Sequence, residues 1–205
     1  MAEPACVYVI DDDEVLRESV AVLLGGAGIQ VQAFASGPEF LAVAPTLKSG
    51  CVLTDVRMPE MDGIELQRRL LEMGVDLPIL VMTGQADVPT AIKAMKAGAI
   101  DFIEKPFAPE ALVGAVRAGL EASHRTIRQR AAIDGAKARL ADLTPRELEV
   151  LDQLVAGHPN KIIAHELGLS PRTVEVHRAR IMDKTESKSL SELVQLVLVT
   201  RPRGA

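Results

Sequence analysis

The first residue with clear chemical potential is Asp55, which directly follows a run of residues that suits a buried strand, 51–54. In a parallel α/β sheet, a carboxylate at the carboxyl end of a strand lies in the crevice where such folds bind ligands. A lone aspartate there is more commonly a solvated loop residue or a helix cap. A functional interpretation of Asp55 therefore depends on the residues that the fold places beside it.

Polar side chains also end three other predicted strands: Asp11, Asp12 and Asp13 after the first, Thr83 after the fourth and Lys105 after the fifth. In a sheet of order 2-1-3-4-5, strands one and three are neighbours at the switch point, so these side chains would share one cleft. Carboxylates that lie close together are costly unless a cation joins them. Because Mg²⁺ prefers a few oxygen ligands and retained waters, the pattern predicts a Mg²⁺ site.

The same residue types suit phosphoryl transfer. A carboxylate can attack phosphorus and form an aspartyl phosphate. Lys105 could then pair with one phosphoryl oxygen, and Thr83 could donate a hydrogen bond to another after moving toward it. Phosphatases of the haloacid-dehalogenase type also form an aspartyl phosphate, but they need an acid two residues after the nucleophile, where this chain has Arg57. A phosphorylation switch is therefore favoured, with a metal-dependent phosphatase as the alternative.

The elements that position these residues alternate regularly. Predicted strands cover 6–10, 29–34, 51–54, 78–82 and 101–104, and predicted helices cover 14–27, 36–47, 64–73, 88–97 and a segment from about 109. Fully apolar strands are typical of central parallel strands, whereas 29–34 alternates like an edge strand. Five such units predict an α/β fold with a five-stranded, doubly wound parallel sheet of flavodoxin-like order 2-1-3-4-5.

Residues 4–124, approximately, resemble the receiver domain of bacterial two-component response regulators. The resemblance lies in the order of their polar motifs along the chain: Asp11-Asp12, Asp55, Thr83 and Lys105-Pro106. The resemblance implies a sensor histidine kinase as the phosphoryl donor. It also implies a homodimer when phosphorylated, formed through the fourth helix and the fifth strand. A protein of this kind is a switch rather than an enzyme, with slow self-dephosphorylation at most.

The resemblance assigns roles to individual residues. Asp55 would be the phosphoacceptor, and Mg²⁺ would be held by Asp12, Asp55 and the main-chain carbonyl of Arg57, with Asp11 contributing through water. Phe102, three residues before Lys105, would be the aromatic switch residue. Without the resemblance, Phe102 would be interpreted as an ordinary core residue.

Charge divides the chain in two. Residues 1–124 contain 9 Lys and Arg and 18 Asp and Glu, which gives a net charge of −9. Residues 125–205 contain 14 Lys and Arg and 10 Asp and Glu, which gives a net charge of +4. An acidic half suits cations and a basic half suits polyanions. We predict a receiver domain over 1–124, a basic, helical, solvated linker over 125–141 and a DNA-binding domain over 142–205.

Composition excludes several classes of protein. With no Trp and one Tyr, stacking on single-stranded nucleic acid is disfavoured. No apolar run reaches the roughly 20 residues that span a membrane, and no secretory signal is visible. Cys6 and Cys51 fall in predicted interior strands, where two thiols are expected to stay reduced in a cytoplasm.

The last 63 residues predict four short helices and no strand. Capping boxes at 144–147 and 189–192 open the first and fourth helices. A short second helix, 161–167, a turn containing Gly168 and a third helix, 171–184, form a helix-turn-helix pattern. This all-α domain would bind double-stranded DNA.

The third helix of this domain has two different faces. Val174, His177 and Ile181 form the predicted core face, with His177 as a hydrogen-bonded core histidine rather than a metal ligand. The opposite face, which would enter a major groove, contains Arg172, Val176, Ala179, Arg180 and Asp183, flanked by Thr173 and Glu175. The alternative is an ordinary solvated surface, but that interpretation does not explain why Val176 is placed on it.

Particular contacts follow from these residue types. Val176 would meet a thymine methyl group, Arg180 a guanine or a phosphate, and Glu175 a cytosine amino group. Lys161 and Lys184 would bind phosphates and carry no sequence information.

The runs LTPRELEVL, PNKIIAHELGLS and SPRTVEVHRARI resemble the DNA-binding domain of the LuxR/NarL type. Together the two domains resemble regulators of nitrogen-fixation genes in rhizobia, whose kinase is an oxygen-sensing haem protein. This implies a cytoplasmic transcription activator that works with RNA polymerase. Two residues depart from the pattern: Thr185 lies where these domains carry an apolar residue, and Glu175 lies where some relatives have a base-contacting Lys.

Overall fold

The computed structural model of the protein describes residues 6–84 and 88–200. The chain divides into two compact units, Met1–Ile127 and Arg128–Ala205. The first unit is α/β and the second is helical. Among the described residues, no helix combines the length and the apolar character that a bilayer crossing requires.

The first unit is built on a parallel sheet of order β2-β1-β3-β4-β5, as predicted, with β2 at one edge. Its strands are β1 (Cys6–Ile10), β2 (Gln30–Phe34), β3 (Cys51–Asp55), β4 (Ile79–Gly84) and β5 (Asp101–Lys105). Its helices are α1 (Glu14–Gly26), α2 (Gly37–Val43), α3 (Gly63–Glu72), α4 (Val88–Lys96) and α5 (Pro109–Ala141), which contributes residues to both units.

Helices cover both faces of this sheet because its inner strands are apolar on both sides. In β1, Val7 and Val9 pack with residues of α1 and α5, while Tyr8 and Ile10 pack with residues of α2 and α3. The pattern of a fully apolar strand therefore predicted correctly that β1 lies inside the sheet. Two helical layers thus enclose the sheet and leave its carboxyl edge free to form a site.

One helix is shorter than its pattern predicted. Helix α2 ends at Val43, and a 3₁₀ turn follows over Ala44–Thr46 instead of a continuous helix to residue 47. The cause is Pro45, which has no amide proton to donate to the carbonyl four residues earlier. Ser36 caps α2, since its side chain accepts a hydrogen bond from the Glu39 amide.

Within its described residues, up to 200, the second unit contains four further helices around an apolar core. They are α6 (Pro145–Val155), α7 (Asn160–Glu166), α8 (Pro171–Lys184) and α9 (Leu190–Thr200). The predicted capping box of α6 is present, between Thr144 and Glu147. At the start of α9 the Ser189 side chain accepts from the Glu192 amide, but the Glu192 carboxylate reaches the Lys188 amide instead of closing a box on Ser189.

Thr185, one of the two residues that depart from the family pattern, is fully buried at the C-terminal end of α8. Its hydroxyl lies 2.7 Å from the Ile181 carbonyl and 3.0 Å from Ser187 Oγ. Because both partners satisfy the hydroxyl locally, this polar residue is accommodated without loss of the core.

Candidate functional site

The strand ends bring the predicted site residues of the first unit together. Strand pairing sets Asp55 opposite Met82, and Gly84 opposite Lys105. Carboxylate oxygens of Asp11, Asp12 and Asp55 all lie within 4.8 Å of one another, Asp11 being buried and Asp12 exposed. The structure therefore assembles the group of oxygens that the sequence predicted at the switch point of the sheet.

Lys105 pairs with two of the three carboxylates in this cleft. Its ammonium Nζ lies 2.8 Å from Asp11 Oδ2 and 3.2 Å from Asp55 Oδ2. The other Asp11 oxygen, Oδ1, accepts a hydrogen bond of 2.9 Å from the Asp13 amide. Arg17, which the sequence did not single out, donates to the Asp11 main-chain carbonyl at 2.6 Å. Asp11 is thus held rigidly, while Asp55 keeps accessible surface.

The environment of Asp55 works against its charge. Burial raises the pKa of the Asp55 carboxyl above its usual value of 3.8, and the neighbouring Asp11 carboxylate raises it further. Lys105 and the Arg57 amide oppose the rise. A cation bound beside Asp55 would favour the ionised carboxylate, which is the form that can attack phosphorus.

The oxygen donors suit a small, hard cation. Carboxylate oxygens from two neighbouring strands, one of them exposed, leave room for retained waters, which matches the preference of Mg²⁺. The site lacks the nitrogen and sulfur ligands typical of zinc among its three clustered residues. The residues present therefore fit Mg²⁺.

Gly63, at the start of α3, supports the site although its side chain has no functional group. A side-chain Cβ at this position would lie 2.3 Å from the Asp55 carbonyl oxygen. The Gly63 amide also donates to the Val56 carbonyl at 2.9 Å, while Asp62 caps α3. The start of α3 is therefore packed directly against the backbone of Asp55, and only glycine allows this approach.

We expect Gly63→Ala to displace the Asp55 backbone, lowering both phosphorylation and stability, the latter by about 1–3 kcal/mol. Gly25→Ala in α1 is the matched control, because its Cβ would meet nothing within 4 Å. That control should gain about 0.5–1 kcal/mol, the usual advantage of Ala over Gly within a helix. Thermal unfolding and phosphorylation rates measure both effects. Equal behaviour of the two variants would refute the steric account of Gly63.

Thr83 and Phe102 lie on adjacent strands. Thr83 is buried, and its hydroxyl is 3.4 Å from the Gly84 carbonyl, a long and weak hydrogen bond. Phe102 is 45% exposed, so the interpretation of this residue as ordinary core is wrong. Arg57 is exposed as well. Gln85, two residues beyond Thr83, lies outside the described residues.

In the second unit, α8 exposes the predicted face. Arg172, Glu175 and Arg180 are exposed, Val176 is 45% exposed, and Val174 and Ile181 are fully buried. Thr173 is half-buried, and its hydroxyl lies 2.8 Å from the capping Ser170 Oγ, so this side chain is engaged at the start of the helix.

The two lysines predicted to bind phosphates differ in their surroundings. Lys161 is exposed at the start of α7. Lys184 Nζ instead lies 2.7 Å from Glu147 Oε2 and 3.1 Å from the Asp142 carbonyl. This ammonium therefore joins α8 to α6 within the unit. The prediction that Lys184 binds a DNA phosphate is not supported by this arrangement.

His177 also differs from expectation. Its Nδ1 atom is buried and has no hydrogen-bond partner among the described residues. The prediction of a hydrogen-bonded core histidine is therefore wrong for this atom. Helical spacing placed His177 on the inner side of α8 correctly, but spacing cannot show whether a partner is present.

The Glu147–Lys184 pair predicts a pH-dependent stability. Hydrogen bonds from Lys184 and from Thr144 lower the pKa of the buried Glu147 carboxyl from 4.5 to about 2. Because this pKa is lowered in the folded state, the pair contributes stability above pH 4.5, and the contribution is lost as the pH falls toward 2.

We expect Lys184→Met to destabilise the second unit at neutral pH by about 1–3 kcal/mol, since the carboxylate of Glu147 loses a charged partner. The difference from wild type should shrink on acidification. Calorimetry of the full chain between pH 7 and pH 3 measures it, with Lys161→Met as the control that leaves unfolding unchanged. A pH-independent difference would show that the pair contributes nothing electrostatic.

Comparison with known proteins covers both units. Residues 7–117 match the response regulator receiver domain, and residues 141–197 match the bacterial regulatory proteins of the luxR family. The chain is 48% identical to the transcriptional regulatory protein FixJ of Azorhizobium caulinodans, over 97% of this chain and 94% of the relative. It is 46% identical to FixJ of Bradyrhizobium diazoefficiens, over 94% of each.

A solved structure of the response regulator StyR is also similar. It aligns with a TM-score of 0.83 and 41% sequence identity, over 96% of this chain and 99% of that one. The comparisons give no support to the alternative of a metal-dependent phosphatase.

Proposed function

This chain belongs to the two-component response regulators that join a receiver domain to a LuxR-type DNA-binding domain, and on that premise we propose how its two sites work. It is a response regulator that acts as a transcription activator, and its family implies a histidine kinase and DNA as partners. Asp55 is the residue that accepts the phosphoryl group. The observation that carries this proposal is the group of three carboxylates, two of which pair with Lys105.

The proposed receiver covers residues 1–124 and the chemistry follows from its cleft. Mg²⁺, held by Asp12, Asp55 and the Arg57 carbonyl with Asp11 acting through water, would neutralise phosphoryl oxygens. Asp55 Oδ attacks phosphorus and displaces the imidazole of the kinase. Lys105 then leaves its pairing with Asp55 to contact the new group, and the Thr83 hydroxyl turns toward it.

The output of the receiver is a homodimer. Among the side chains that the structure describes, four large apolar ones are exposed on α4, on β5 and between them: Ile92, Met95, Ile100 and Phe102. Exposed apolar residues that lie close together are typical of an association surface. Phe102 would change its position when Thr83 moves, so phosphorylation would alter this surface. Two protomers would then present two α8 helices to half-sites about 34 Å apart.

Beyond the linker of residues 125–141, the domain of residues 142–205 would bind double-stranded DNA. We assign base contacts to Glu175, Val176 and Arg180, support at the start of the helix to Arg172 and Thr173, and a phosphate contact to Lys161. We further propose a FixL-like kinase, nitrogen-fixation genes at low oxygen, RNA polymerase as a further partner and a cytoplasmic location, as the resemblance to regulators of nitrogen-fixation genes implies.

The test of the phosphoacceptor is direct. The full chain is incubated with Mg²⁺ and a small phosphodonor, reduced with borohydride and digested, and the modified peptide is identified by mass spectrometry. Modification confined to Asp55 is expected, together with a doubling of the mass in solution. Modification at another residue, or a monomer after full phosphorylation, would contradict the proposal.

The lifetime of the phosphoryl group should depend on Arg57. Hydrolysis needs a water in line with phosphorus, and a guanidinium has no acceptor with which to orient that water. We expect Arg57→Asn to shorten the lifetime several-fold without slowing phosphorylation. Arg57→Lys is the matched control, because it keeps a cation without an acceptor. Decay is followed after donor removal with Mg²⁺ present, and equal decay rates for wild type and Arg57→Asn would leave Arg57 only its backbone role.

A further inference from the structure

One arginine of α8 does not belong to its exposed face. With about 100° between successive residues of a helix, Arg178 lies roughly 40° from Val174 and roughly 160° from Val176. Val174 is fully buried and Arg178 is half-buried. Arg178 therefore points toward the inside of the second unit, unlike Arg172 and Arg180 on the same helix.

The partner of Arg178 is a residue of α7. Its guanidinium nitrogen Nη1 donates to Asn160 Oδ1 at 2.8 Å, across 18 positions of sequence. Asn160 is half-buried at the first position of α7. The bond therefore joins the start of one helix of the helix-turn-helix to the middle of the other.

Helix α7 depends on contacts with its neighbours for its orientation. It spans only seven residues, too few for a helix to be stable alone in water. Pro159 precedes it and makes no side-chain cap. Its buried side chains are Ile163 and Ala164, which fix the depth of the helix in the core. A hydrogen bond is directional, so a polar contact at the start of the helix adds a constraint on its rotation.

A second polar contact holds the other end of α7. Arg146 of α6 donates to the Leu167 carbonyl, which closes the C-terminal turn. The helix is thus joined to α6 at its end and to α8 at its start. Lys161, the exposed cation next to Asn160, is therefore held at a set position relative to Val176 and Arg180.

We propose that Asn160 and Arg178 are positioning residues for DNA recognition, which set α7 against α8 so that the phosphate contact and the base contacts reach one DNA site together. Phosphate contacts fix the register in which a protein meets the bases. If that register is lost, specific binding suffers while non-specific binding, which needs only positive charge, is retained. The inference rests on the proposed DNA-binding function of this unit.

The test compares two duplexes at one salt concentration: one selected from a random library by the phosphorylated wild-type full chain, and a scrambled version of it. We expect Asn160→Ala to weaken binding to the selected duplex at least tenfold and binding to the scrambled duplex less than threefold. Arg178→Met should do the same, and the double variant should be no worse than either single variant. Asn160→Asp keeps an acceptor for the guanidinium and should restore the wild-type ratio of the two affinities.

Two results would overturn the proposal. One is an Asn160→Ala protein that discriminates between the duplexes as wild type does. The other is an equal loss on both duplexes for Arg178→Met with a reduced salt dependence, which would make Arg178 a phosphate contact. Arg178→Met alters a half-buried side chain and can prevent folding. In that case the result for Asn160→Ala alone tests the proposal. Failure of wild type to select any duplex would instead contradict the proposed function itself.

Discussion

Asp55→Asn is expected to abolish phosphorylation by a kinase or a small phosphodonor and to abolish the phosphorylation-induced dimer. The substitution keeps the size of the side chain but replaces the attacking oxygen with an amide that is not nucleophilic. It also removes one of three clustered carboxylates, which weakens the binding of Mg²⁺. Labelling with a radioactive phosphodonor should therefore fall to background.

Asp13→Asn is the matched control for this result. Asp13 also follows a strand, but it lies outside the group of clustered oxygens and caps α1 by accepting from the Leu16 amide. Asn caps helices as well as Asp does, so this variant should fold and be labelled normally. Undiminished labelling of Asp55→Asn would place the phosphoacceptor elsewhere.

Arg180→Ala is expected to cost about 1–3 kcal/mol of binding to the DNA sequence that the wild type selects. The physical reason is that Arg180 is exposed on the same side of α8 as Val176 and can donate two hydrogen bonds to a guanine. Binding to random DNA should change little, because a base contact contributes mainly to the specific complex. Fluorescence anisotropy with the two duplexes measures both affinities.

Lys161→Ala supplies the comparison for Arg180. Because Lys161 is proposed to contact a phosphate, Lys161→Ala should weaken binding to both duplexes alike and lower the slope of affinity against salt concentration by about 1. An Arg180→Ala protein that behaves in the same way would reassign Arg180 from a base to a phosphate.

The sequence predicted the sheet and the acidic cleft because both depend on patterns that are local in the chain. Apolar strands such as Cys6–Ile10 must be covered on both faces, and the doubly wound topology then brings Asp11 and Asp55 to one edge. Lys105 follows from the same rule, and the structure places its ammonium against both carboxylates.

What the sequence did not reveal are contacts that depend on tertiary packing. Helical spacing places Lys184 near the end of α8, but only the fold brings Glu147 to it across 37 positions. Spacing likewise cannot separate Arg178, which bonds to Asn160, from the exposed arginines of the same helix. Gly63 reads as a turn glycine, and its contact with Asp55 emerges only when α3 is packed against β3.

The central claim is that phosphorylation of Asp55 controls DNA binding, and it is tested by one measurement on the full chain. The affinity for the selected duplex is compared before and after phosphorylation, with Mg²⁺ present and with Asp55→Asn alongside. We predict that phosphorylation raises the affinity of the wild type by about 5–150-fold, the usual range of coupling between two sites, and leaves Asp55→Asn unchanged. An unchanged affinity of the fully phosphorylated wild type would contradict the claim. Multiple turnovers of phosphate release from esters would instead support the metal-dependent phosphatase.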